Sequence, residues 1–215
     1  MPKISFEAED GVTIVADFYD SQKKKAALLL HMMPATKESW VDFARALTKA
    51  GISALAIDLR GHGESVESKS GKLDFKKFSD EQHKDSIKDV EAAIKWLREE
   101  KGIREIYVAG ASIGANLALQ CLTLHPEIKK AVLLSAGFNY RGVETKPLAE
   151  RTALDQKVFL AAGTSDSNCA EVADKLSDLI QGMSSVKIYE TESHGTDLFQ
   201  VDPSLIGKLI EWLKE

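Results

Sequence analysis

The sequence predicts an α/β protein in which helices cover both faces of a doubly wound, mostly parallel sheet. Two observations favour this class. Short apolar runs, of the kind that form strands buried on both faces, alternate along the chain with segments of helical periodicity. Neither an internal repeat nor a Pro/Gly-rich linker interrupts the 215 residues, so we expect a single domain over residues 1–215.

The strands follow from the apolar patterning. Residues 3–20 alternate like two half-buried strands, and Asp10-Gly11 between them is a hairpin signal, which predicts an antiparallel hairpin at the N-terminus. The later strands are continuous apolar runs, expected at residues 26–32, 53–59, 105–110, 131–137, 158–163 and 186–190.

Segments of helical spacing separate these runs. Glycine or proline marks several helix ends, as at Gly51, Gly102 and Pro126, while Pro203 suits the first turn of the last helix. Helices are expected at residues 37–51, 80–102, 113–126, 169–182 and 203–215.

Composition argues against several classes of function. The formal net charge of −5 is unsuited to a general affinity for nucleic acid or an anionic membrane. Two cysteines do not make a disulfide framework, and no stretch reaches the roughly 18 apolar residues of a membrane span. With no apolar leader at the N-terminus, the sequence predicts a cytoplasmic protein without a nucleic-acid partner.

A candidate nucleophile follows the strand at residues 105–110. Ligands gather outside the carboxyl ends of parallel strands, and there the sequence reads Gly-Ala-Ser-Ile-Gly, with Ser112 at its centre. This G-x-S-x-G pattern is typical of a nucleophile elbow, a sharp strand-to-helix turn that leaves no room for side chains on either side of the serine. Taken alone, the pattern also fits a simple strand-to-helix turn.

A serine hydroxyl needs a neighbouring base, and the chain has five histidines. We expect His83 and His125 to be surface residues, while His31 and His62 both precede the serine. His194 follows the last strand in a polar loop, and its position makes it the best base.

The base needs an orienting carboxylate. Asp166 lies three residues beyond Gly163, just after a strand and before His194. The other aspartates fit less well, because Asp155 precedes the strand, Asp174 lies within a helix and Asp197 belongs to an exposed loop. The order Ser112, Asp166, His194 is the order typical of this elbow.

Together these segments resemble the α/β-hydrolase superfamily over nearly the whole chain. The resemblance is carried by "HMMP", "DLRGHGES", "GASIG" and the pair "GTSD" and "SHG". It implies an α/β-hydrolase fold with an eight-stranded sheet and Ser112, Asp166 and His194 as a catalytic triad. It also implies that "DLRGHGES" is a structural loop near the site, with His62 not catalytic.

The resemblance further implies an oxyanion hole made of two backbone N–H groups, one of them from Ile113. The second comes from the loop after the third strand, where relatives usually have His-Gly and this chain has His31-Met32-Met33. The resemblance assigns this second N–H donor to Met33, with Met32 as the alternative.

Many relatives carry a cap domain, for which the segment 138–157 is too short. We therefore expect a domain without a separate cap and an open site. Substrate-pocket candidates, each of which also fits simple packing, are Met32, Met33, Phe138, Tyr140 and Phe199.

The predicted function is that of a serine hydrolase that cleaves carboxylic esters through an acyl-enzyme. Alternatives are a thioesterase, a lysophospholipase or a peptidase of the same fold, or a non-catalytic relative that binds a small ligand. Serine at position 112 disfavours an aspartate nucleophile. We expect a small-molecule ester as partner, no cofactor and no metal, in a monomer or a homodimer.

Overall fold

A computed structural model describes residues 3–215. Its strands are β1 Lys3–Glu7, β2 Thr13–Tyr19, β3 Lys25–Leu30, β4 Ser53–Ile57, β5 Glu67–Ser68, β6 Gly71–Lys72, β7 Glu105–Ala111, β8 Lys130–Leu134, β9 Asn139–Tyr140, β10 Val143–Glu144, β11 Lys157–Gly163 and β12 Met183–Tyr189. Its α-helices are α1 Val41–Lys49, α2 Asp80–Lys84, α3 Ile87–Glu99, α4 Ile113–Leu124, α5 Lys146–Ala149, α6 Cys169–Leu179, α7 Leu198–Val201 and α8 Ser204–Lys214.

Eight of the strands form one sheet, in the order β1-β2-β4-β3-β7-β8-β11-β12. The pairs β1–β2 and β2–β4 are antiparallel, and every pair from β4 to β12 is parallel. This confirms the predicted mostly parallel sheet with an N-terminal hairpin. The strands β5 and β6, and likewise β9 and β10, form separate two-stranded ribbons.

The strand order reverses between β3 and β7. From β3 the chain moves outward to β4, and it then crosses back to place β7 on the other side of β3. Leu30 at the end of β3 pairs with Gly110 near the end of β7, so the loops that follow these two strands leave the sheet side by side. Such a reversal is where open α/β sheets bind ligands.

Two apolar clusters cover the two faces of the sheet. Along β3, Leu28 and Leu30 belong to the cluster beneath α3, α4 and α6, while Ala27 and Leu29 belong to the cluster beneath α1 and α8. Because successive side chains of a strand point to opposite faces, β3 is buried on both. This burial explains the continuous apolar runs of the sequence.

The prediction of a single helix at residues 80–102 is wrong, because the structure has two helices there, α2 and α3. Asp85 and Ser86 lie between them, and both residue types compete with helical hydrogen bonds through their side chains. The predicted surface position of His83 is also wrong, since this residue is 3% exposed. Its ring packs edge-on against Phe78, at 5.3 Å between centroids, and burial lowers its pKa.

Within residues 3–215, none of the helices combines the length and the apolar character that crossing a bilayer requires.

A buried ion pair fixes the loop after β4. Asp89 of α3 accepts hydrogen bonds from Arg60 Nε at 2.9 Å and Nη2 at 2.8 Å, and its second oxygen accepts the Arg60 backbone N–H at 2.8 Å. The Asp89 side chain is fully buried and that of Arg60 is 5% exposed. The guanidinium also donates to the half-buried carboxylate of Asp10, at 2.7 Å from Nη1 and 3.1 Å from Nη2, so Asp89 is the buried one of its two partners.

Replacing Asp89 by alanine is expected to lower the free energy of unfolding by about 3 kcal/mol, the lower end of the range for a broken buried pair, because the Arg60 guanidinium would lose its buried partner and keep only Asp10. Urea denaturation of both proteins measures the change. The matched control is Asp85→Ala, which removes an exposed partner of Lys88 and is expected to cost at most about 1 kcal/mol. Equal losses in the two variants would contradict a special role for the buried pair.

Candidate active site

Ser112 lies on the sharp turn between β7 and α4. Its backbone has φ 55° and ψ −121°, a conformation that is strained for any residue with a side chain. A Cβ at Gly110 would lie 1.9 Å from the Gly114 carbonyl oxygen, and one at Gly114 would lie 2.2 Å from the Leu30 carbonyl oxygen. Backbone therefore fills the space on both sides of the serine, which is the physical reason for glycine at both positions.

Asp166 and His194, the predicted acid and base, are hydrogen-bonded to each other. His194 Nδ1 lies 2.8 Å from one carboxylate oxygen of Asp166 and 2.9 Å from the other. Since a carboxylate only accepts, Nδ1 carries the proton and Nε2 is left as the basic nitrogen. Asp166 is 6% exposed, whereas the His194 side chain is 32% exposed.

Backbone contacts tie the loops of this site to the end of β8. The N–H of Ser112 donates to the Leu134 carbonyl at 2.9 Å. The N–H of Gly195, next to His194, donates to the Ser135 hydroxyl at 2.9 Å, and this hydroxyl is buried. The nucleophile turn and the histidine loop are therefore fixed relative to one strand end.

His31 positions the loop after β3. Its Nδ1–H donates to the Met32 carbonyl at 2.8 Å, and its Nε2 accepts the Leu59 N–H at 3.0 Å. The ring is fully buried, which lowers its pKa, so it stays neutral. In a trans peptide the N–H points opposite to the preceding carbonyl, so the Met33 N–H is directed away from His31.

His62 has the contacts of a packing residue. Its ring stacks on Phe75 at 3.8 Å between centroids, and its Nδ1–H donates to the Arg60 carbonyl at 3.0 Å. Burial lowers the pKa of His62 to about 4, so the imidazole is neutral at physiological pH.

Tyr140 lies over the candidate site. Its ring meets the His194 ring edge-on at 6.4 Å between centroids. A Cβ at Gly137 would lie 2.7 Å from the tyrosine ring, so the glycine makes room for it. Burial raises the pKa of Tyr140, which keeps the phenol protonated.

The ribbon β9–β10 that carries Tyr140 is anchored to α4, the helix that begins after the nucleophile. The buried Asn116 amide accepts the Gly137 N–H at 3.1 Å and donates to the Val143 carbonyl at 2.8 Å. The Thr145 hydroxyl donates to the Gly137 carbonyl at 2.8 Å. Nothing in the sequence singles out Asn116 for this role, because only the folded chain brings α4 against the ribbon.

A buried cysteine completes the surroundings of Asp166. The Sγ atom of Cys169, the first residue of α6, lies 3.4 Å from the Tyr140 hydroxyl and within 4.8 Å of an Asp166 carboxylate oxygen. Burial raises the pKa of the thiol to about 11, so it is protonated. Cys169 is absent from the predicted site, although its position three residues after Asp166 in "DSNC" indicates that the two side chains lie close together.

The remaining pocket candidates differ in their contacts. Met32 lies against the histidine loop, with its sulfur 4.0 Å from the Thr196 hydroxyl. Phe138 is half-buried, with Lys146 Nζ 4.1 Å from the centre of its ring. Phe199 stacks on Phe43 at 5.6 Å between centroids and meets Trp40 at 6.0 Å, which are the contacts of a core residue.

Comparison by sequence finds known hydrolases. The family described as serine aminopeptidase, S33, matches residues 21–194, a range that includes Ser112, Asp166 and His194. Epoxide hydrolase B of Mycobacterium tuberculosis is 30% identical over 151 residues, which are 68% of this chain and 39% of that protein. The chain thus spans about two fifths of the length of this relative.

Comparison by structure finds esterases with the same fold. An esterase of Pyrococcus furiosus superposes with a TM-score of 0.79 at 21% identity, covering 99% of this chain and 91% of that chain. A thermostable carboxyl esterase of Bacillus coagulans superposes with a TM-score of 0.79 at 12% identity, covering 99% and 97%. These likenesses show the α/β-hydrolase fold.

Proposed function

Because this chain belongs to the serine aminopeptidase S33 family within the α/β-hydrolase superfamily, we propose that it is a serine hydrolase that cleaves carboxylic esters through an acyl-enzyme. The observation that carries the proposal is the hydrogen bond from His194 Nδ1 to Asp166, which leaves Nε2 free to act as a base. Ser112, on its strained turn at the start of α4, is the proposed nucleophile.

In the proposed acylation step, His194 Nε2 takes the hydroxyl proton as Ser112 Oγ attacks the ester carbonyl carbon. The carbonyl oxygen becomes negative in the tetrahedral intermediate. His194 then donates the proton to the leaving alkoxide, and the bond between the carbonyl carbon and the alkoxide oxygen breaks. Water attacks the acyl-enzyme by the same path, which releases the acid and restores Ser112.

We propose that the oxyanion is bound by the backbone N–H groups of Ile113 and Met33. Ile113 is the first residue of α4, where amides have no helical partner and the helix dipole favours negative charge. Met33 is favoured over Met32 because His31 holds the Met32 carbonyl, which directs the Met33 N–H the other way. Each such donor stabilises the transition state by about 3 kcal/mol.

The proposed substrate contacts are those of a single domain with no separate cap. The segment between β8 and β11 contains the ribbon β9–β10 and the short helix α5. In the proposal, Tyr140 forms one wall of the acyl pocket and Met32 the other, because both lie against the His194 loop. Phe138 borders the ribbon side, and Phe199 supports the α7 side from the core.

A fluorophosphonate probe tests the proposal, because it reacts covalently with an activated serine. We expect stoichiometric labelling of the wild type and none of Ser112→Ala. Ser70→Ala, which removes an exposed serine, is the matched control and should label fully. Intact-protein mass spectrometry measures the adduct.

A folded wild-type protein that takes up no probe would overturn the proposal in favour of a non-catalytic ligand-binding relative. If the wild type is labelled, its substrate class is tested next. Rates on p-nitrophenyl esters of increasing acyl length are compared with the rate on an amino-acid p-nitroanilide, which separates ester cleavage from the aminopeptidase activity that the family description names.

A further inference from the structure

Three side chains with metal-binding atoms meet at the back of the proposed triad. One carboxylate oxygen of Asp166, the Cys169 sulfur and one ring nitrogen of His194 all lie within 4.8 Å of one another. We refer to these three residues as the thiol–carboxylate–imidazole cluster. Serine hydrolysis employs the carboxylate and the imidazole of this cluster, and it has no use for the thiol.

We propose that the thiol–carboxylate–imidazole cluster binds a divalent cation of borderline softness, such as Zn²⁺, and that the bound cation switches off the proposed hydrolase. A cysteine sulfur, a histidine nitrogen and an aspartate oxygen are the three protein ligand types that Zn²⁺ takes up. The inference rests on the proposed function for its inhibitory consequence, and on the geometry alone for the binding.

Charge supports a cation at this position. The Asp166 carboxylate and a Cys169 thiolate together balance two positive charges, so the bound ion leaves no net charge in a buried place. The ion displaces one proton to solvent, that of the Cys169 thiol, while the proton of His194 moves from Nδ1 to Nε2, so the ligand is a neutral imidazole. Coordination itself holds a thiol in its deprotonated form.

The chain already directs these groups toward one point. The Cys169 backbone N–H donates to the Asp166 carbonyl at 2.9 Å, which keeps these two residues together, and both carboxylate oxygens of Asp166 lie within 2.9 Å of His194 Nδ1. Each residue comes from a separate place in the fold: the loop after β11, the first turn of α6 and the loop after β12. The half-exposed imidazole of His194 provides the path from solvent, since the other two residues are buried.

Inhibition follows from the position of the ion. A His194 whose Nδ1 is bound to the metal no longer donates to Asp166, and its proton is on Nε2. Nε2 can then no longer accept the Ser112 proton, and the carboxylate no longer fixes the tautomer that a serine triad requires.

Titration with Co²⁺, a spectroscopic substitute for Zn²⁺, tests binding without reference to activity. We expect a thiolate-to-cobalt charge-transfer absorption band in the wild type and its loss in Cys169→Ser. The matched control is Cys121→Ser, which changes the other buried cysteine, far along the chain in α4, and should keep the band. Ser112→Ala should keep it too, because the nucleophile is not a ligand.

Zinc competition gives the second measurement. We expect Zn²⁺ to displace Co²⁺ from the wild type, and Cys169→Ser to weaken zinc affinity by more than about 100-fold, since even the loss of an outer partner costs about 10–100-fold. If Cys169→Ser does not fold, Cys169→Ala provides the same test, with circular dichroism as the check on folding. Hydrolysis by the wild type should fall on adding Zn²⁺ and return with EDTA.

The outcomes separate the two proposals. A wild type with no cobalt band, or a band that persists in both Cys169 variants, overturns the metal site whatever the enzyme does. Cobalt binding without probe labelling of Ser112 leaves the metal site standing and overturns the hydrolase proposal. Zinc inhibition of equal strength in Cys169→Ser and wild type also overturns the site, because the thiol would then play no part.

Discussion

Replacing His194 by alanine is expected to lower kcat for ester hydrolysis by about 10⁶-fold, as much as loss of the nucleophile itself. The reason is that the Ser112 hydroxyl remains protonated at neutral pH unless a base removes its proton. His194 Nε2 is the proposed base, since Nδ1 is committed to Asp166. Steady-state hydrolysis of a p-nitrophenyl ester measures the change, and the fluorophosphonate labelling rate should fall in parallel.

The control for this variant is His125→Ala. His125 is half-buried on the far end of α4 and binds Glu91 through Nε2 at 2.9 Å, so it shares chemistry with His194 but not its position. Its replacement should leave kcat unchanged. If His194→Ala and His125→Ala hydrolysed esters at the same rate, the base assignment would be wrong.

The second large effect is expected from Asp166→Asn, with a loss in kcat of about 10⁴-fold. An asparagine is nearly the same size, but its amide group can donate to His194 Nδ1, which favours the tautomer whose proton is on Nε2. That tautomer cannot accept the Ser112 proton. If Asp166→Asn has a lower kcat but the same thermal unfolding temperature as the wild type, the carboxylate acts on the histidine tautomer and not on the stability of the fold. Steady-state kinetics and thermal unfolding of the same preparation measure both quantities.

Asp197→Asn is the control, because Asp197 lies three residues from His194 in the chain and is exposed. We expect its kcat to equal that of the wild type. A large loss in Asp197→Asn together with a small one in Asp166→Asn would exchange the roles of the two carboxylates.

The sheet could be predicted from the sequence because its central strands are buried on both faces. The apolar run in β3 matches this burial, and the alternation in β1 matches a strand with every second residue exposed, so both patterns can be recognised without knowing which strands are neighbours. The region 80–102 could not be divided correctly, because residues 80–86 are all polar and therefore carry no apolar spacing that would reveal a break at Asp85 and Ser86. The buried ion pair of Asp89 with Arg60, which holds the start of α3 against a distant loop, is invisible in the pattern.

For the site, the predictable part was the part that has a local signature. The turn around Ser112 can be recognised from the two glycines that flank it, Gly110 and Gly114. Asp166 and His194 are predicted only from their positions after strands. The direction of the Met33 N–H could not be predicted, because it depends on the contact of His31 with Met32 inside the fold. The position of Tyr140 against the His194 ring depends on long-range packing in the same way.

The attachment of the β9–β10 ribbon to Asn116 has a consequence for how this scaffold can be modified. The Asn116 side chain holds the ribbon by backbone groups alone, the N–H of Gly137 and the carbonyl of Val143. The side chains of Phe138 and Tyr140 can therefore vary while the main chain keeps its course, whereas Asn139 has to stay because its Oδ1 accepts the Gly142 N–H at 2.8 Å. Phe138 and Tyr140 are thus the two positions at which a protein engineer could change acyl preference without altering the residues beneath the ribbon.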